Sequence, residues 1–110
     1  MIVLSFYYKH GVSFNTEYYL NKHVPMVKNA IMNMGATRCE VKKYVTSADG
    51  TTPPYQFSFS IFFESKEALD FFFGHPTLPE LQGDVPNYYE GNPNVFIEEV
   101  ISHCSVTDAP

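Results

Sequence analysis

The sequence predicts an α+β fold in which four strands form one antiparallel sheet and two helices cover one of its faces. Apolar residues alternate with a period of two near the N-terminus and again over residues 55–63, which is typical of strands. Each of these segments precedes a stretch with helical periodicity that ends at a glycine. A chain of 110 residues is also short enough for a single hydrophobic core.

The first strand and the first helix come from the segment before Gly35. In the strand, Ile2, Leu4, Phe6 and Tyr8 alternate with Val3, Ser5 and Tyr7, and Gly11 ends it. In the helix that follows, Asn15 can accept hydrogen bonds from the first N–H groups and Glu17 complements the positive end of the dipole. Gly35 suits the C-terminal cap.

A hairpin is predicted next. A second strand lies within residues 36–47, and the loop SADGTTPP follows it, with Asp-Gly and paired prolines that favour a turn. The third strand, YQFSFSIFF, is the clearest in the sequence. Its predicted core face consists of Tyr55, Phe57, Phe59, Ile61 and Phe63, against Gln56, Ser58, Ser60 and Phe62.

The second helix and the fourth strand complete the pattern. Ser65 caps a helix that ends at Gly74, and its predicted buried residues are Ala68, Leu69, Phe72 and Phe73. A short capped turn and the strand NVFIEEVIS follow. The order βαββαβ predicts a ferredoxin-like sandwich. We expect one domain over residues 1–101 and a flexible C-terminal tail over residues 102–110.

Composition excludes several classes of function. The net charge is -5 and no Lys/Arg cluster stands out, so nucleic acid is not an expected partner. No apolar stretch approaches ~18 residues and no basic segment precedes the apolar start, which predicts a cytoplasmic protein without a membrane segment. Cys39 and Cys104 lie far apart without metal-ligand spacing. We therefore expect free thiols and neither a metal nor a cofactor.

The sheet face away from the helices carries small and apolar residues where a solvated face would be charged. Ser58, Ser60 and Phe62 lie there in the third strand. No further element of the chain is predicted to cover this face. A second copy of the same sheet is the simplest way to cover it, so the sequence predicts a homodimer. The alternative is a monomer with a hydrated, serine-rich face.

The segment EYYLNKHVPMV places an ionisable ring beside a helix breaker. On an ideal helix His23 lies in the apolar arc, and Tyr19 lies one turn before it at the edge of that arc. That arc contains Leu20, Val24, Val27, Ala30, Ile31 and Met34. Pro25 leaves the carbonyl of Asn21 without its helical donor, which predicts a kink or a new helix start and one wall of a pocket. The alternative is a hydrogen-bonded core histidine.

The spacing Tyr-x-x-x-His-x-Pro in YYLNKHVPMVK resembles the EthD family of dimeric α+β barrel proteins, and the resemblance extends over residues 1–101. It implies a ferredoxin-like protomer whose sheet pairs with that of a second protomer, with a ligand cavity between sheet and helices. The family is named for bacterial degradation of fuel ethers, where its members accompany an oxidising system. Similar domains in polyketide pathways act as decarboxylases or dehydratases.

The resemblance also assigns candidate residues. It places the catalytic histidine at His23 and its tyrosine at Tyr19, with Tyr18 as the alternative tyrosine. The stretch DVPNY matches the family at Asp84, Pro86, Asn87 and Tyr88, which would form the rim of the pocket or a loop that is only structural. The predicted substrate-binding residues are Phe6, Val27, Phe59, Asn87 and Tyr88.

Three functions follow as expectations. The first is proton-transfer chemistry on a small hydrophobic or aromatic compound, such as decarboxylation, dehydration, cyclisation or oxygenation, with His23 as acid or base and Tyr19 as its hydrogen-bond partner. The second is a non-enzymatic accessory protein that holds a metabolite for a partner oxygenase system. The third is haem ligation by His23 or His75, as related barrels use a histidine for this purpose.

Overall fold

The computed structural model describes residues 1–106, and its centre is one antiparallel sheet with strand order β2-β3-β1-β4. The strands are β1 (Ile2–Lys9), β2 (Arg38–Lys43), β3 (Tyr55–Phe63) and β4 (Asn94–Glu99). The helices are α1 (Thr16–Tyr18), α2 (Val24–Ile31), α3 (Lys66–Phe73) and α4 (Leu78–Gly83). A π turn (Tyr19–His23) joins α1 to α2, and a 3-10 turn (Val85–Asn87) follows α4. The predicted ferredoxin-like α+β fold is confirmed.

Local signals set the ends of these elements where the sequence predicts them. The Oδ1 of Asn15 accepts a hydrogen bond of 3.0 Å from the backbone N–H of Tyr18, and the Oγ of Ser65 accepts one of 3.2 Å from that of Ala68. Gly35 has φ of 87°, a left-handed conformation that costs glycine nothing, and it allows the chain to turn from α2 towards β2.

The distortion predicted at Pro25 takes the form of a π turn. The backbone N–H of Val24 donates to the carbonyl oxygen of Tyr19, five residues earlier, and α2 then begins with Pro25 in its first turn. The wider turn changes the angular positions of its own residues relative to those of an ideal helix. As a result Leu20, predicted to be buried, is 43% exposed, while Tyr19 is fully buried.

The main hydrophobic core lies between the sheet and the helices. It contains Leu4 and Tyr8 of β1, the Phe57, Phe59, Ile61 and Phe63 side of β3, and residues of every α-helix from α2 to α4. In α3, Leu69 and Phe72 are buried as predicted. The prediction for Phe73 is wrong, because this side chain follows Phe72 around the helix and is 45% exposed.

On the opposite face of the sheet, the central strands β1 and β3 are covered by side chains of the sheet itself. Ser5, Ser58 and Ser60 are buried there, although no helix lies on this side. The Oγ atoms of Ser5 and Ser60 are 2.8 Å apart, and Ser5 also donates to Glu98. The guanidinium of Arg38 lies 3.7 Å from the centroid of the Phe62 ring. The hydrated serine face, considered as an alternative, is therefore not what the chain forms.

One residue of β3 lies on the face opposite to the predicted one. The register between β1 and β3 shifts after Tyr8, so that Lys9 pairs with Tyr55 and Gln56 is bulged. Tyr55 consequently packs on Tyr7, with ring centroids 5.2 Å apart, on the side away from the helices. A bulge reverses the alternation that the sequence pattern assumes.

The strand β4 forms one edge of the sheet and is the most exposed apolar element. Val95, Phe96 and Ile97 are 47%, 50% and 61% exposed, and Val100 and Ile101 continue the apolar surface. Residues 100–106 form neither helix nor strand, and the remainder of the predicted tail lies outside the described residues. Among the described helices, none has the length and apolar character needed to span a bilayer.

Candidate functional site

A cavity of about 390 Å³ lies between the helix side of the sheet and the helices. Its walls combine residues of β1, β3, α2, α3, α4 and the segment that leads into β4. The apolar lining residues are Phe6, Val27, Phe59, Ile61, Phe72, Leu78, Leu81, Val85, Pro86, Pro93 and Val95, and the others are His23, Gln82, Gly91 and Asn92. Such an apolar volume with few polar groups is typical of a small-molecule site.

The burial of the lining residues shows where the cavity opens. Its floor is formed by buried side chains of the core, including Phe59, Ile61 and Phe72. Gln82 and Asn92 are exposed and lie at the mouth, which is bounded by the 3-10 turn and by the loop before β4. A ligand would therefore enter beside loops and meet the sheet at its inner end.

His23 is the residue of the cavity wall with acid–base chemistry near neutral pH. The π turn places its ring against the cavity, where 5% of the residue is exposed. Its Nδ1 lies 2.8 Å from the Oδ2 of Asp84, and its Nε2 has no hydrogen-bond partner within the described residues. Burial lowers the pKa of His23, and this effect outweighs the hydrogen bond and charge of Asp84, which act in the opposite direction.

Asp84 reaches His23 from the loop after α4, 61 positions away in sequence. Burial alone would raise the pKa of Asp84, but hydrogen bonds from Tyr18, Asn87 and His23 together lower it. Tyr18 Oη donates to Asp84 Oδ1 at 2.7 Å and Asn87 Nδ2 donates at 2.9 Å. An ionised carboxylate only accepts, so Nδ1 of His23 carries the proton and Nε2 keeps a free lone pair.

A group of buried aromatic rings supports the imidazole from behind. The rings of Tyr88 and Tyr19 have centroids 4.5 Å and 5.9 Å from that of His23. The Oη atoms of Tyr8 and Tyr88 are 2.6 Å apart, and burial raises the pKa of both hydroxyls, that of Tyr8 to about 12. Tyr19 Oη is buried with no partner in the described part of the chain. These contacts fix the plane of the imidazole.

The structure brings four of the seven candidate residues to the cavity wall: His23, Phe6, Val27 and Phe59. Tyr19 and Tyr88 pack against His23 and are not among the lining residues. Asn87 lies at the surface and contacts Asp84. Of the two tyrosines considered for the motif, Tyr18 reaches His23 through Asp84, whereas Tyr19 contacts its ring directly.

Two features of this site were not predicted from the sequence. Asp84 was expected at the rim but not as the partner of His23, because no spacing relates residues from separate elements. The walls supplied by α3 and α4, such as Phe72 and Leu81, were not expected either. The apolar periodicity of these helices gave a signal for burial, but burial against a void and burial against atoms produce the same pattern.

The described residues contain no group of three or more His, Cys, Asp or Glu side chains that could hold a metal ion. Of the two histidines considered for haem, His75 does not line the cavity, and its Nδ1 accepts a hydrogen bond from the backbone N–H of Thr77. His23 lines the cavity, and it is the sole histidine to do so within the described residues.

Comparison with solved structures places this geometry among ferredoxin-like proteins. An EthD-like protein from Ralstonia eutropha superposes with a TM-score of 0.76 and 29% identity, over 94% of this chain and 95% of its own. An ethyl tert-butyl ether D (EthD) family protein from Bacillus halodurans gives 0.70 and 15% identity, over 91% and 97%. A protein from Jannaschia sp., described as dimeric, ferredoxin-like and of unknown function, gives 0.66 and 16%, over 91% and 100%.

Two other comparisons give no relative. No protein-family model matches the sequence, and the search of curated proteins finds no match. The structural likeness covers nearly the whole chain, and it includes the first strand and helix that carry the Tyr-x-x-x-His-x-Pro spacing. The resemblance of this chain to the EthD family, indicated by its sequence, is thereby confirmed.

Proposed function

We propose that this protein binds a small hydrophobic compound in the cavity and that His23 moves a proton to or from it. One observation carries the proposal: an imidazole with Nδ1 held by a carboxylate faces an apolar void with its other nitrogen free. The lowered pKa of His23 keeps the ring neutral near pH 7, so that Nε2 can accept a proton.

The surroundings of His23 suit this chemistry. When Nε2 takes a proton, the imidazolium remains hydrogen-bonded to the Asp84 carboxylate, 2.8 Å away, which stabilises the new charge. The apolar walls keep water from competing for the proton. Removal of a proton beside a carbonyl, or its return, is a step shared by dehydration, cyclisation, decarboxylation and cofactor-free oxygenation, the reaction types that the EthD-like resemblance suggests.

Proton transfer can be tested without the natural substrate. The probe is 2-tetralone in D2O, whose protons between ring and carbonyl exchange slowly in buffer and can be followed by NMR. We expect the protein to accelerate exchange and His23→Gln to reduce the acceleration by at least about 100-fold, because Gln offers no base. His10→Gln is the matched control, since His10 is exposed and does not line the cavity. Equal rates for wild type and His23→Gln would refute the assignment.

A second function, binding without catalysis, is favoured by one feature of the cavity. Within the described part of the chain, His23 is the only titratable side chain that lines the cavity, so this wall offers one base and no separate acid. A protein of this kind would hold a hydrophobic metabolite for a partner oxygenase system. Saturable binding of 2-tetralone without accelerated exchange would support this alternative.

We further propose that the protein is a homodimer. The structure from Jannaschia sp. is described as dimeric, and here the exposed edge strand β4 carries the apolar residues that a partner would cover. Phe96 pairs with Ser5 and therefore lies on the sheet face from which the dimer was predicted, whereas Ile97 lies on the other face of the same edge strand. The driving force comes from these exposed side chains and their neighbours on β4.

The dimer is tested by analytical ultracentrifugation. The wild-type protein should sediment as a dimer, and Ile97→Lys should sediment as a monomer, because a charge at an exposed edge strand opposes association. Met32→Lys is the matched control, since Met32 is 76% exposed and belongs to the end of α2, not to β4. A monomeric wild type would contradict the proposal.

A further inference from the structure

We infer that the cavity selects an uncharged ligand that carries an O–H or N–H group directed at Nε2 of His23. This inference deepens the proposed function and rests on its assignment of the cavity as the ligand site. It follows from two separate features, the absence of charge compensation in the lining and the direction of the His23–Asp84 hydrogen bond.

The lining offers no partner for a charged ligand. None of the residues found to line the cavity in the described part of the chain is a lysine, arginine, aspartate or glutamate. A ligand anion would be removed from water without a counter-ion, and the nearest fixed charge behind His23 is the carboxylate of Asp84. A ligand cation gains nothing either, since Asp84 is screened by the imidazole and already accepts hydrogen bonds from three side chains.

The His23–Asp84 pair determines which polar group the ligand needs. With Nδ1–H donated to Asp84, the group that faces the cavity is the lone pair of Nε2, a hydrogen-bond acceptor. Water meets this requirement when the cavity is open. A ligand that displaces the water leaves the acceptor unsatisfied unless it donates a proton of its own.

The remaining walls determine the rest of the ligand. Phe59, Ile61 and Phe72 require an apolar body, while Gln82 and Asn92 can form hydrogen bonds with its outer end at the mouth. A phenol, an enol or an alcohol on an apolar frame meets these conditions, and a carboxylic acid does not. Within the proposed reactions, the cavity therefore favours dehydration, cyclisation or oxygenation of a neutral substrate over decarboxylation of a free acid.

The test is a matched set of ligands measured by isothermal titration calorimetry at pH 7.5. Benzene, naphthalene and cyclohexane frames each carry a hydroxyl, a methoxy or a carboxylate group. For the frame that binds best, we expect the hydroxyl compound to bind about three- to tenfold tighter than the methyl ether, the value of one hydrogen bond. The carboxylate should bind at least about 100-fold weaker than the hydroxyl compound.

A variant locates the selection at His23. His23→Phe removes the acceptor, so the hydroxyl compound and the methyl ether should bind equally, while affinity for the ether stays within about threefold. The nine ligands on the wild-type protein keep the test decisive if this variant does not fold. A carboxylate that binds as tightly as the hydroxyl compound, an ether that binds as tightly, or no binding by any frame would each overturn the inference.

The outcome is separable from that of the proposed proton transfer. If 2-tetralone exchange is not accelerated but the hydroxyl compounds bind best, proton transfer fails and the ligand selection stands. If exchange depends on His23 but a carboxylate binds best, the selection fails and the proposed function stands.

Discussion

The two faces of the sheet bury adjacent residues of the same strands, but they complete their packing differently. On the face away from the helices, Ser5 forms hydrogen bonds with both Ser60 and Glu98, and the two serines are buried. On the helix side, Phe6, Phe59 and Ile61 border a cavity, and the imidazole on its far wall keeps one nitrogen without a partner. On the first face Ser5, Ser60 and Glu98 find hydrogen-bond partners within the chain, whereas the second face leaves both a volume and an acceptor for a ligand.

The largest expected difference between the two faces is in how replacing their carboxylates, Asp84 and Glu98, changes the exchange rate. Asp84→Asn should reduce His23-dependent exchange of 2-tetralone by about 100-fold, because an amide can donate to Nδ1 and then favours the tautomer whose Nε2 carries the proton. Glu98→Gln, on the other face, should leave the exchange rate within about twofold. Exchange rates of both variants at equal protein concentration provide the measurement. A similar loss in both would mean that the effect comes from general destabilisation.

A larger side chain should lower the free energy of unfolding more on the face away from the helices than on the helix side. Ser60→Val places two methyl groups in a closed layer and removes a hydrogen bond, so we expect the free energy of unfolding to fall by about 2 kcal/mol. Val27→Leu places its extra methylene in the cavity and should change stability by less than about 1 kcal/mol. Urea unfolding at one fixed protein concentration measures both values. Equal losses at the two sites would argue against a void beside Val27.

A smaller effect distinguishes the two tyrosines of the motif. Tyr19→Phe removes a buried hydroxyl without a partner in the described residues, so stability should hold or rise by up to about 1 kcal/mol, and the exchange rate should not change. Tyr18→Phe removes a donor to Asp84 and should lower the exchange rate about threefold. Loss of exchange in Tyr19→Phe alone would instead support the direct catalytic role that the sequence suggested for Tyr19.

Much of the architecture could be predicted from the sequence because it depends on local signals. The alternation in YQFSFSIFF set the bounds of β3, and Ser65 and Gly74 set those of α3. The predictions failed where the chain departs from an ideal period. The bulge at Gln56 reversed Tyr55, and the π turn exposed Leu20. Neither the bulge nor the π turn repeats at a regular interval, so the pattern of apolar residues does not reveal them.

The candidate site could be predicted only in part, for a related reason. His23 and Val27 lie four residues apart on neighbouring turns, so their common side followed from helical geometry. The pairing of His23 with Asp84 did not follow from helical geometry, since Asp84 reaches His23 through the packing of α4 and the 3-10 turn. Two loops or turns that meet only in the folded structure have no characteristic residue spacing in the sequence.

The pH dependence of stability offers a weaker check on the same residue. The pKa of His23 in the folded protein lies below its ordinary value of 6.5, so the unfolded state binds more protons in the window just below that value. The stability contribution of neutral His23 is therefore complete above pH 6.5 and is lost as the pH falls through the window. Urea unfolding of wild type and His23→Gln between pH 7.5 and pH 5 should show the wild type losing more. Parallel curves would contradict the buried neutral ring.

The central claim is that the ring of His23 is neutral at pH 7, with its proton on Nδ1 and its lone pair on Nε2. Nitrogen-15 NMR of the imidazole, assigned by comparison with His23→Gln and followed from pH 8 to pH 5, tests it directly. We predict a protonated Nδ1, an unprotonated Nε2 and a midpoint below 6.5. A protonated Nε2 at neutral pH, or a midpoint above 6.5, would contradict this account of the site.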